Sequence, residues 1–206
     1  MIALFFEVLP KPGHEGTYLE MAAKLKPALD ESGGLLFLDR SRSAIRPGWF
    51  LSHQFWRDEA AMVRWRAHPA HHRVQACSRT DVLTDYRLRV AQVTAHATAG
   101  SGLVEDAMAA TAAYNDPAVT PERFMVSILA RAGLAVAGGE TFASVYDEAL
   151  RVHVIPVAGA LEGHEVLARA SRDPATLHAR LCLVSRDYGL HDRREAPQYF
   201  EPVSLA

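Results

Sequence analysis

The segment FLSHQFWRDEAAMVRWRAHPAHHRVQ, from Phe50 to Gln75, decides the fold of this chain. Its first seven residues are mostly aromatic or apolar, which favours a half-buried strand. An Arg-Asp-Glu turn follows, in which Asp58 is placed to cap a helix whose acidic start suits the helix dipole. Within that helix Trp65 lies on an apolar stripe. The segment therefore predicts a strand, a tight turn and a helix that ends at Pro69 among histidines.

Composition and charge restrict the class of protein. The chain has 206 residues, 49% of them hydrophobic, which is enough for one large domain or two small ones. The formal net charge is -2 and basic residues do not cluster on a periodic face, so nothing favours nucleic acid as a partner. Two cysteines without metal-type pairing, Cys77 and Cys182, favour a cytoplasmic location. The apolar start stops at Pro10 and no apolar run reaches the ~18–20 residues of a membrane span, so we expect neither a signal peptide nor a membrane partner.

Around the opening segment, the first hundred residues alternate between strands and helices. The patterns predict strands at 2–9, 35–41, 49–56 and 84–94 and helices at 14–32 and 58–67. Pro27 should kink the first helix, and Gly33-Gly34 should end it. This β-α-β-β-α-β order is the ferredoxin-like split βαβ arrangement, an α+β fold with an antiparallel sheet. Its helices cover one face of the sheet and leave the other face needing a partner.

The rest of the chain predicts a second, degenerate unit. Residues 1–96 form the first domain, 97–119 a linker with a short helix at 104–114, and 120–206 the second unit with a charged tail. The copy is predicted to contain a helix from 121 to Gly-Gly at 138–139, strands at 141–147, 150–156 and 177–184, and a helix at 161–170. In this alignment His153 corresponds to His53 and Ala170 to Trp65, and the first strand has no counterpart. An unrelated α+β extension is the alternative.

Residues 2–94 resemble the antibiotic biosynthesis monooxygenase (ABM) family. The resemblance rests on FFEVLPKPG, on the helix that ends in Gly-Gly before a strand, on FWRDEAAMVRWRAHPAHHRVQ and on DYRLRVAQV. The tail SRDYGLHDRREAP also resembles the end of such proteins, although roughly 90 residues separate it here from the matching strand. We expect this charged tail, at 187–197, to cross a subunit or repeat boundary in extended form.

The resemblance implies a dimeric αβ-barrel, built either by a homodimer or by two halves of one chain pairing as an intrachain pseudo-dimer. It also implies a monooxygenase that uses O2 as co-substrate without a bound metal or flavin. In the quinone-forming members, a deprotonated phenol or anthrone of the aromatic polyketide type itself reduces O2. The protein then supplies a cavity, a base and charge stabilisation.

Three residues are the candidate catalytic groups, namely Trp65, His53 and His71. The resemblance matches Trp65 and His71 to the tryptophan and histidine of a haem-degrading branch. Glu7 stands where that branch has an asparagine, so haem is not the expected cofactor. Each candidate also fits a structural role, because Trp65 lies on the apolar stripe, His53 alternates with apolar residues and His71 follows a helix end. A metal site is not expected.

The predicted substrate contacts are Glu7, Phe5, Phe55 and Arg89. Phe5 shares a strand face with Glu7, a carboxylate that needs a partner among apolar neighbours. Arg89 alternates along its strand with Tyr86, Leu88 and Val90, so it lies on the opposite face from them. If those three residues pack under the helices, Arg89 faces the predicted cavity. A Glu7–Arg89 ion pair or contact with a substrate phenolate would then satisfy it. The hypothesis depends on Trp65, His53, Glu7 and Arg89 converging on one enclosed space.

Three functions from different classes follow. The first is a cofactor-independent monooxygenase that oxidises a phenolic substrate with O2. The second is a non-catalytic αβ-barrel protein that binds a small ligand or only assembles. The third is a haem-binding or haem-degrading monooxygenase.

Overall fold

A closed barrel of eight antiparallel strands forms the core of the computed structural model, which describes residues 1–106 and 123–197. The strands are β1 Ile2–Pro10, β2 Leu35–Ser43, β3 Phe50–Trp56, β4 Leu83–Ala97, β5 Val104–Glu105, β6 Arg123–Arg131, β7 Glu140–Ser144, β8 Leu150–Val157 and β9 Thr176–Gly189. Around the barrel they run β1-β3-β2-β7-β8-β6-β9-β4, and β4 pairs back onto β1. The short β5 adds a two-residue pair near the end of β4.

The first unit has the predicted β-α-β-β-α-β order, with its strands arranged β4-β1-β3-β2. The helices are α1 Glu15–Lys24, α2 Lys26–Ser32, α3 Glu59–Ala67 and α4 Pro69–Cys77. The predicted kink is confirmed as a break at Leu25, with Pro27 in the first turn of α2. Asp58 caps α3 by accepting a hydrogen bond from the Ala61 N–H at 2.7 Å. Gly34 has a positive φ of 86° and no side chain, which lets α3 pack against it through Ala61.

Helix α4 is missing from the sequence prediction, which ends the helical region at Pro69. The structure instead begins a new helix there, since proline is favourable in the first turn, where its missing N–H costs nothing. His68 ends α3 and caps α4 through its ring Nδ1. A π-helical turn, Ser78–Val82, then leads into β4.

The second unit repeats the strand order of the first, as β9-β6-β8-β7, with helix α5 Ala160–Ala170. The helix predicted from residue 121 is wrong in the described part, because Arg123–Arg131 is strand β6. This strand is the counterpart of β1 that the sequence analysis did not find, and the second unit has no helix between β6 and β7. Of the short helix predicted at 104–114, Val104–Glu105 is the strand β5 and residues 107–114 lie outside the described residues.

The two units close the barrel within one chain. They meet along β4–β9 and along β2–β7, so each edge strand of the first unit pairs with the equivalent edge strand of the second. The tandem ferredoxin-like fold is thus confirmed, and the boundaries at residues 96 and 120 stay a prediction. Within the described segments, no helix is long and apolar enough to cross a bilayer.

The barrel interior is a packed core. Alternate residues of each strand point inward, and the interior cluster includes Ala3, Phe5, Leu51, Phe55, Ala91, Met125, Phe142 and Val152. The predicted equivalence of His53 and His153 is wrong, because His53 points into this interior. His153 shares the outward face of Ile155, which packs under α5. Counted from the N-caps of α3 and α5, Trp65 corresponds to Val166 rather than Ala170.

Candidate active site

A cavity of about 180 Å³ lies on the outer face of the first unit, between the sheet and helices α1–α4. An apolar cavity of ~150 Å³ holds a benzene molecule, so this one admits a somewhat larger organic ligand. The outward residues of β1 and β4 form its floor, and apolar helix residues cover it. Its apolar lining includes Leu4, Phe6, Met62, Trp65, Leu88 and Val90.

Trp65 and His71 form a stacked pair in the cavity wall. Their ring centroids are 4.3 Å apart and the planes differ by 12°. The His71 Nδ1 lies 3.1 Å from the backbone oxygen of Trp65, and because a carbonyl only accepts, this nitrogen carries the proton. Nε2 is then the basic nitrogen of the ring. Burial lowers the pKa of His71 to about 4, so the imidazole is neutral at pH 7 and Nε2 accepts hydrogen bonds.

His53 lies on the other face of the sheet, inside the barrel. Its Nδ1 is 3.2 Å from the Leu4 carbonyl oxygen and its Nε2 is 2.7 Å from Ser127 Oγ. The ring stacks on Phe5 at a centroid distance of 4.4 Å and meets Phe55 edge-on. Burial lowers the pKa of His53 to about 3, which keeps the ring neutral. Both ring nitrogens are therefore hydrogen-bonded within the core, which fits the structural role that the sequence allowed for His53.

Glu7 and Arg89 also lie inside the barrel, where they form the predicted ion pair. Glu7, only 4% exposed, accepts a second charge-assisted hydrogen bond from Arg46 in the β2–β3 loop. Arg46 in turn donates through Nε to Glu140 of the second unit at 2.9 Å. Arg46 was not among the predicted site residues. Its pairing depends on strands that are far apart in the sequence, so no local signal identified it.

The predicted convergence on one space is therefore wrong. Tyr86, Leu88 and Val90 do pack under the helices, but the cavity lies on that same face. Among the described lining residues are Trp65 and His71. The other five predicted site residues, which are His53, Glu7, Phe5, Phe55 and Arg89, face the barrel interior instead.

The structure adds a polar end to the cavity that the sequence analysis missed. The Tyr86 hydroxyl accepts hydrogen bonds from Arg79 Nη1 and from Arg193 Nη1, each at 2.6 Å. Arg79 comes from the π-helical turn, whereas Arg193 belongs to the charged tail, which here crosses from the second unit to the first. The Arg193 guanidinium also lies 5.5 Å from the ring centroid of Tyr188. Each of these side chains lines the cavity.

The floor of the cavity contains a short polar row on β3. Gln54 donates through Nε2 to Ser52 Oγ at 3.1 Å and accepts from Trp56 Nε1 at 3.0 Å. These side chains hydrogen-bond with one another, so this part of the floor is polar but uncharged. In the described segments, no group of three or more His, Cys, Asp or Glu side chains is placed to hold a metal ion.

Helix α5 packs directly onto the sheet of the second unit. Gly163 touches Leu181, so that even a β-carbon at this position would overlap the leucine side chain. Val166, Leu167 and Ala170 fill the rest of the contact. The space that is a cavity under α1–α4 is thus occupied by close packing under α5.

The chain has similar sequences and structures among known proteins. A family model described as antibiotic biosynthesis monooxygenase matches residues 1–76. A jasmonate monooxygenase ABM from Pyricularia oryzae is 34% identical over 217 residues, covering 99% of this chain and 100% of the relative. A solved anthrone oxidase-like protein is 13% identical with a TM-score of 0.42, covering 95% of this chain and 96% of that one. A putative antibiotic biosynthesis monooxygenase from Deinococcus radiodurans is 19% identical with a TM-score of 0.40, covering 53% and 100%.

Proposed function

The chain belongs to the antibiotic biosynthesis monooxygenase family and is an oxidoreductase, and we propose that it oxygenates a small, largely apolar phenolic substrate in the cavity under α1–α4. O2 is the co-substrate in this proposal, and no bound metal, flavin or haem takes part. The observation that carries the proposal is the stacked Trp65–His71 pair in the cavity wall. It offers a flat apolar surface beside a neutral imidazole nitrogen.

The proposed reaction begins with loss of the phenol proton. His71 Nε2 accepts this proton, since Nδ1 is already protonated and bonded to the Trp65 carbonyl. The resulting electron-rich phenolate reduces O2. One oxygen atom enters the substrate, and the other leaves as water with the two hydrogen atoms that the substrate loses, so no external reductant is needed. The apolar walls exclude solvent from the oxygenated intermediate.

Haem degradation receives no support from the position that distinguishes that branch. Glu7 stands at the asparagine position, and its side chain points into the barrel interior, where Arg89 and Arg46 hold it. A residue on that face of β1 is separated from the cavity by the sheet. We therefore leave haem out of the proposed function.

A jasmonate-type substrate is the second candidate. The relative whose name states this substrate is 34% identical and aligns with nearly the whole chain, including both units. Jasmonate is a cyclic keto acid without an aromatic ring, and hydroxylation of one of its C–H bonds with O2 requires two additional electrons. The two candidates therefore differ in whether a reductant must be supplied.

Oxygen uptake with each substrate distinguishes these candidates. We expect uptake with a dihydroanthraquinone-type phenol in the absence of reductant, with one atom of labelled O2 appearing in the quinone product by mass spectrometry. Oxygenation of jasmonate only when a reductant is present would favour the second candidate. An uptake rate with the phenol no faster than the protein-free background would refute the phenolic proposal.

Variants of the stacked pair test the site itself. His71→Ala should lower the rate by about 100-fold, because general base catalysis contributes roughly that much. Trp65→Phe should raise KM through loss of ring contact. The matched control is His72→Ala, since His72 is the exposed neighbour of His71 and is not among the lining residues. Equal rates for His71→Ala and His72→Ala would exclude His71 as the base.

A further inference from the structure

We propose that the Ser52 hydroxyl, on the floor of the cavity, donates a hydrogen bond to a ring carbonyl oxygen of the substrate. This inference rests on the proposed function in taking the cavity under α1–α4 as the substrate site. It adds a specificity-determining residue and a second functional group of the ligand. With the phenolic substrate proposed above, the ligand is a hydroxyaryl ketone.

A chain of hydrogen bonds along β3 runs in one direction. The indole Nε1 of Trp56 can only donate, so the Gln54 group that it contacts at 3.0 Å is the amide oxygen. The amide nitrogen of Gln54 therefore faces Ser52 and donates to its Oγ at 3.1 Å. Ser52 accepts this bond, and its own O–H is the last donor of the chain.

The side chains beside Ser52 in the sheet cannot accept its proton in a hydrogen bond of ordinary strength. Ser52 pairs with Phe6 of β1 and with Arg40 of β2, so all three lie in one row on the outer face. Phe6 has no polar atom, and a guanidinium group only donates, as Arg40 does to the Tyr146 hydroxyl at 2.9 Å. Ser52 is 2% exposed and yet lines the cavity. A ligand oxygen in the cavity is the acceptor that this donor requires.

A carbonyl is the acceptor whose charge changes in the proposed reaction. When a phenol that is conjugated with a ring ketone loses its proton, part of the negative charge moves onto the carbonyl oxygen. A hydrogen bond to an oxygen that gains charge becomes shorter and stronger. Ser52 therefore holds the ketone in place and stabilises the phenolate that reduces O2.

The position of Ser52 relative to Trp65 sets the spacing of the two oxygens in the ligand. Ser52 and Gln54 are successive outward residues of β3, about 7 Å apart along the strand. Val90 lies in the row of Gln54, two strands away, and packs in the same cluster as Trp65. The phenol end of the ligand thus lies beside the stacked pair, and the carbonyl lies one row farther along the floor. A hydroxyl group para to a ring ketone spans a similar distance.

Calorimetric binding of two phenols under anaerobic conditions tests the inference. The first is 6-hydroxy-1-tetralone, and the second is 5,6,7,8-tetrahydro-2-naphthol, which has the same two rings and hydroxyl group but no carbonyl. Ser52→Ala should weaken binding of the ketone about three- to tenfold, because a neutral hydrogen bond contributes that much. The same substitution should leave binding of the tetrahydronaphthol unchanged.

Ser185→Ala is the matched control. Ser185 is also buried, at 4% exposed, but it donates to the Val90 carbonyl oxygen at 3.1 Å and is not among the lining residues. Its substitution should change neither affinity. If Ser52→Ala does not fold, infrared difference spectra of the wild-type protein with carbonyl-labelled ketone decide the question. The bound carbonyl should absorb at a lower frequency than in an apolar solvent, because it accepts a hydrogen bond.

Unchanged ketone affinity in Ser52→Ala, an equal loss for both probes, absence of ketone binding, or an unshifted carbonyl band would each overturn the inference. These outcomes are separate from failure of the proposed function, since binding without O2 involves no turnover. Phenol oxidation with unchanged ketone affinity in Ser52→Ala would leave the proposed function standing and refute the carbonyl contact. Binding that depends on Ser52 only for the ketone, without phenol oxidation, would do the reverse.

Discussion

The substitution Glu7→Gln separates the structural role of the barrel interior from the role of the cavity. It keeps the volume of the side chain and its ability to accept one hydrogen bond, but it removes the charge that Arg89 and Arg46 share. If Glu7 contacts substrate, this change should impair catalysis. If the cavity lies only on the opposite face of the sheet, the change should affect the free energy of unfolding and leave turnover intact.

The magnitude follows from the exposure of the partners. Breaking a buried ion pair costs about 3–5 kcal/mol, because the remaining charge is left without compensation. The Arg89 side chain is 13% exposed and bears most of this cost, whereas Arg46 is 33% exposed and keeps Glu140 as a partner. We therefore expect a loss near the lower limit, about 3 kcal/mol. For a chain of this length that corresponds to a decrease of roughly 6–12 °C in Tm.

Urea unfolding followed by circular dichroism measures the loss, and oxygen uptake per folded molecule measures activity. The control is Glu15→Gln, the same substitution in an exposed ion pair with Arg42, where the loss should stay below about 1 kcal/mol. Equal losses for Glu7→Gln and Glu15→Gln would refute the reasoning from burial. A fully folded Glu7→Gln protein without activity would refute the assignment of the cavity.

Three further predictions concern packing, pH and assembly. Gly163→Ala should destabilise the protein by about 1–2 kcal/mol, since overlap with the fully buried Leu181 outweighs the gain in helix propensity. An unchanged free energy of unfolding, measured with urea, would contradict the close packing of α5. The free energy of unfolding should fall as the pH is lowered from about 6.5 toward 4. The folded pKa of His53 is about 3 and that of His71 about 4, so in this range the unfolded state binds protons that the folded state does not bind. A decrease in His53→Gln as large as in the wild-type protein would contradict this. Light scattering should give a mass of 22.6 kDa if the intrachain barrel is the complete assembly, whereas a value near 45 kDa would identify a homodimer.

Sequence periodicity predicted the strands and helices of the first unit apart from α4, because each of these elements carried its own local signal. Strand alternation, the Asp58 cap and the Gly33-Gly34 ending each depend on neighbours within a few residues. Local sequence signals could not show which face of the sheet holds the cavity. Strand alternation correctly placed Arg89 and Tyr86 on opposite faces of the sheet. Only the three-dimensional structure shows that the cavity lies under the helices and that the second unit fills the inward face.

The second unit was harder because its local signals had weakened. Arg123–Arg131 is apolar almost throughout, which fits a strand buried on both faces as well as a helix. The expected helix between the first two strands of the unit also misled the alignment, since the second unit lacks it. The pairing of Arg193 with Tyr86 joins residues 107 positions apart, so no pattern of spacing identifies it.

The parts that the second unit has kept and lost follow from the two faces of the sheet. Its four strands supply inward residues such as Met125 and Val152 to the common core, so their loss would expose the inward face of the first unit. Among the described residues, helix α5 covers the outer face of the second unit, where it presses onto Leu181 and also packs against the end of β4. The strands of both units are therefore needed for the common core, whereas the described helices that line the cavity belong to the first unit. The tail is the exception, because Arg193 reaches the cavity only while β9 pairs with β4.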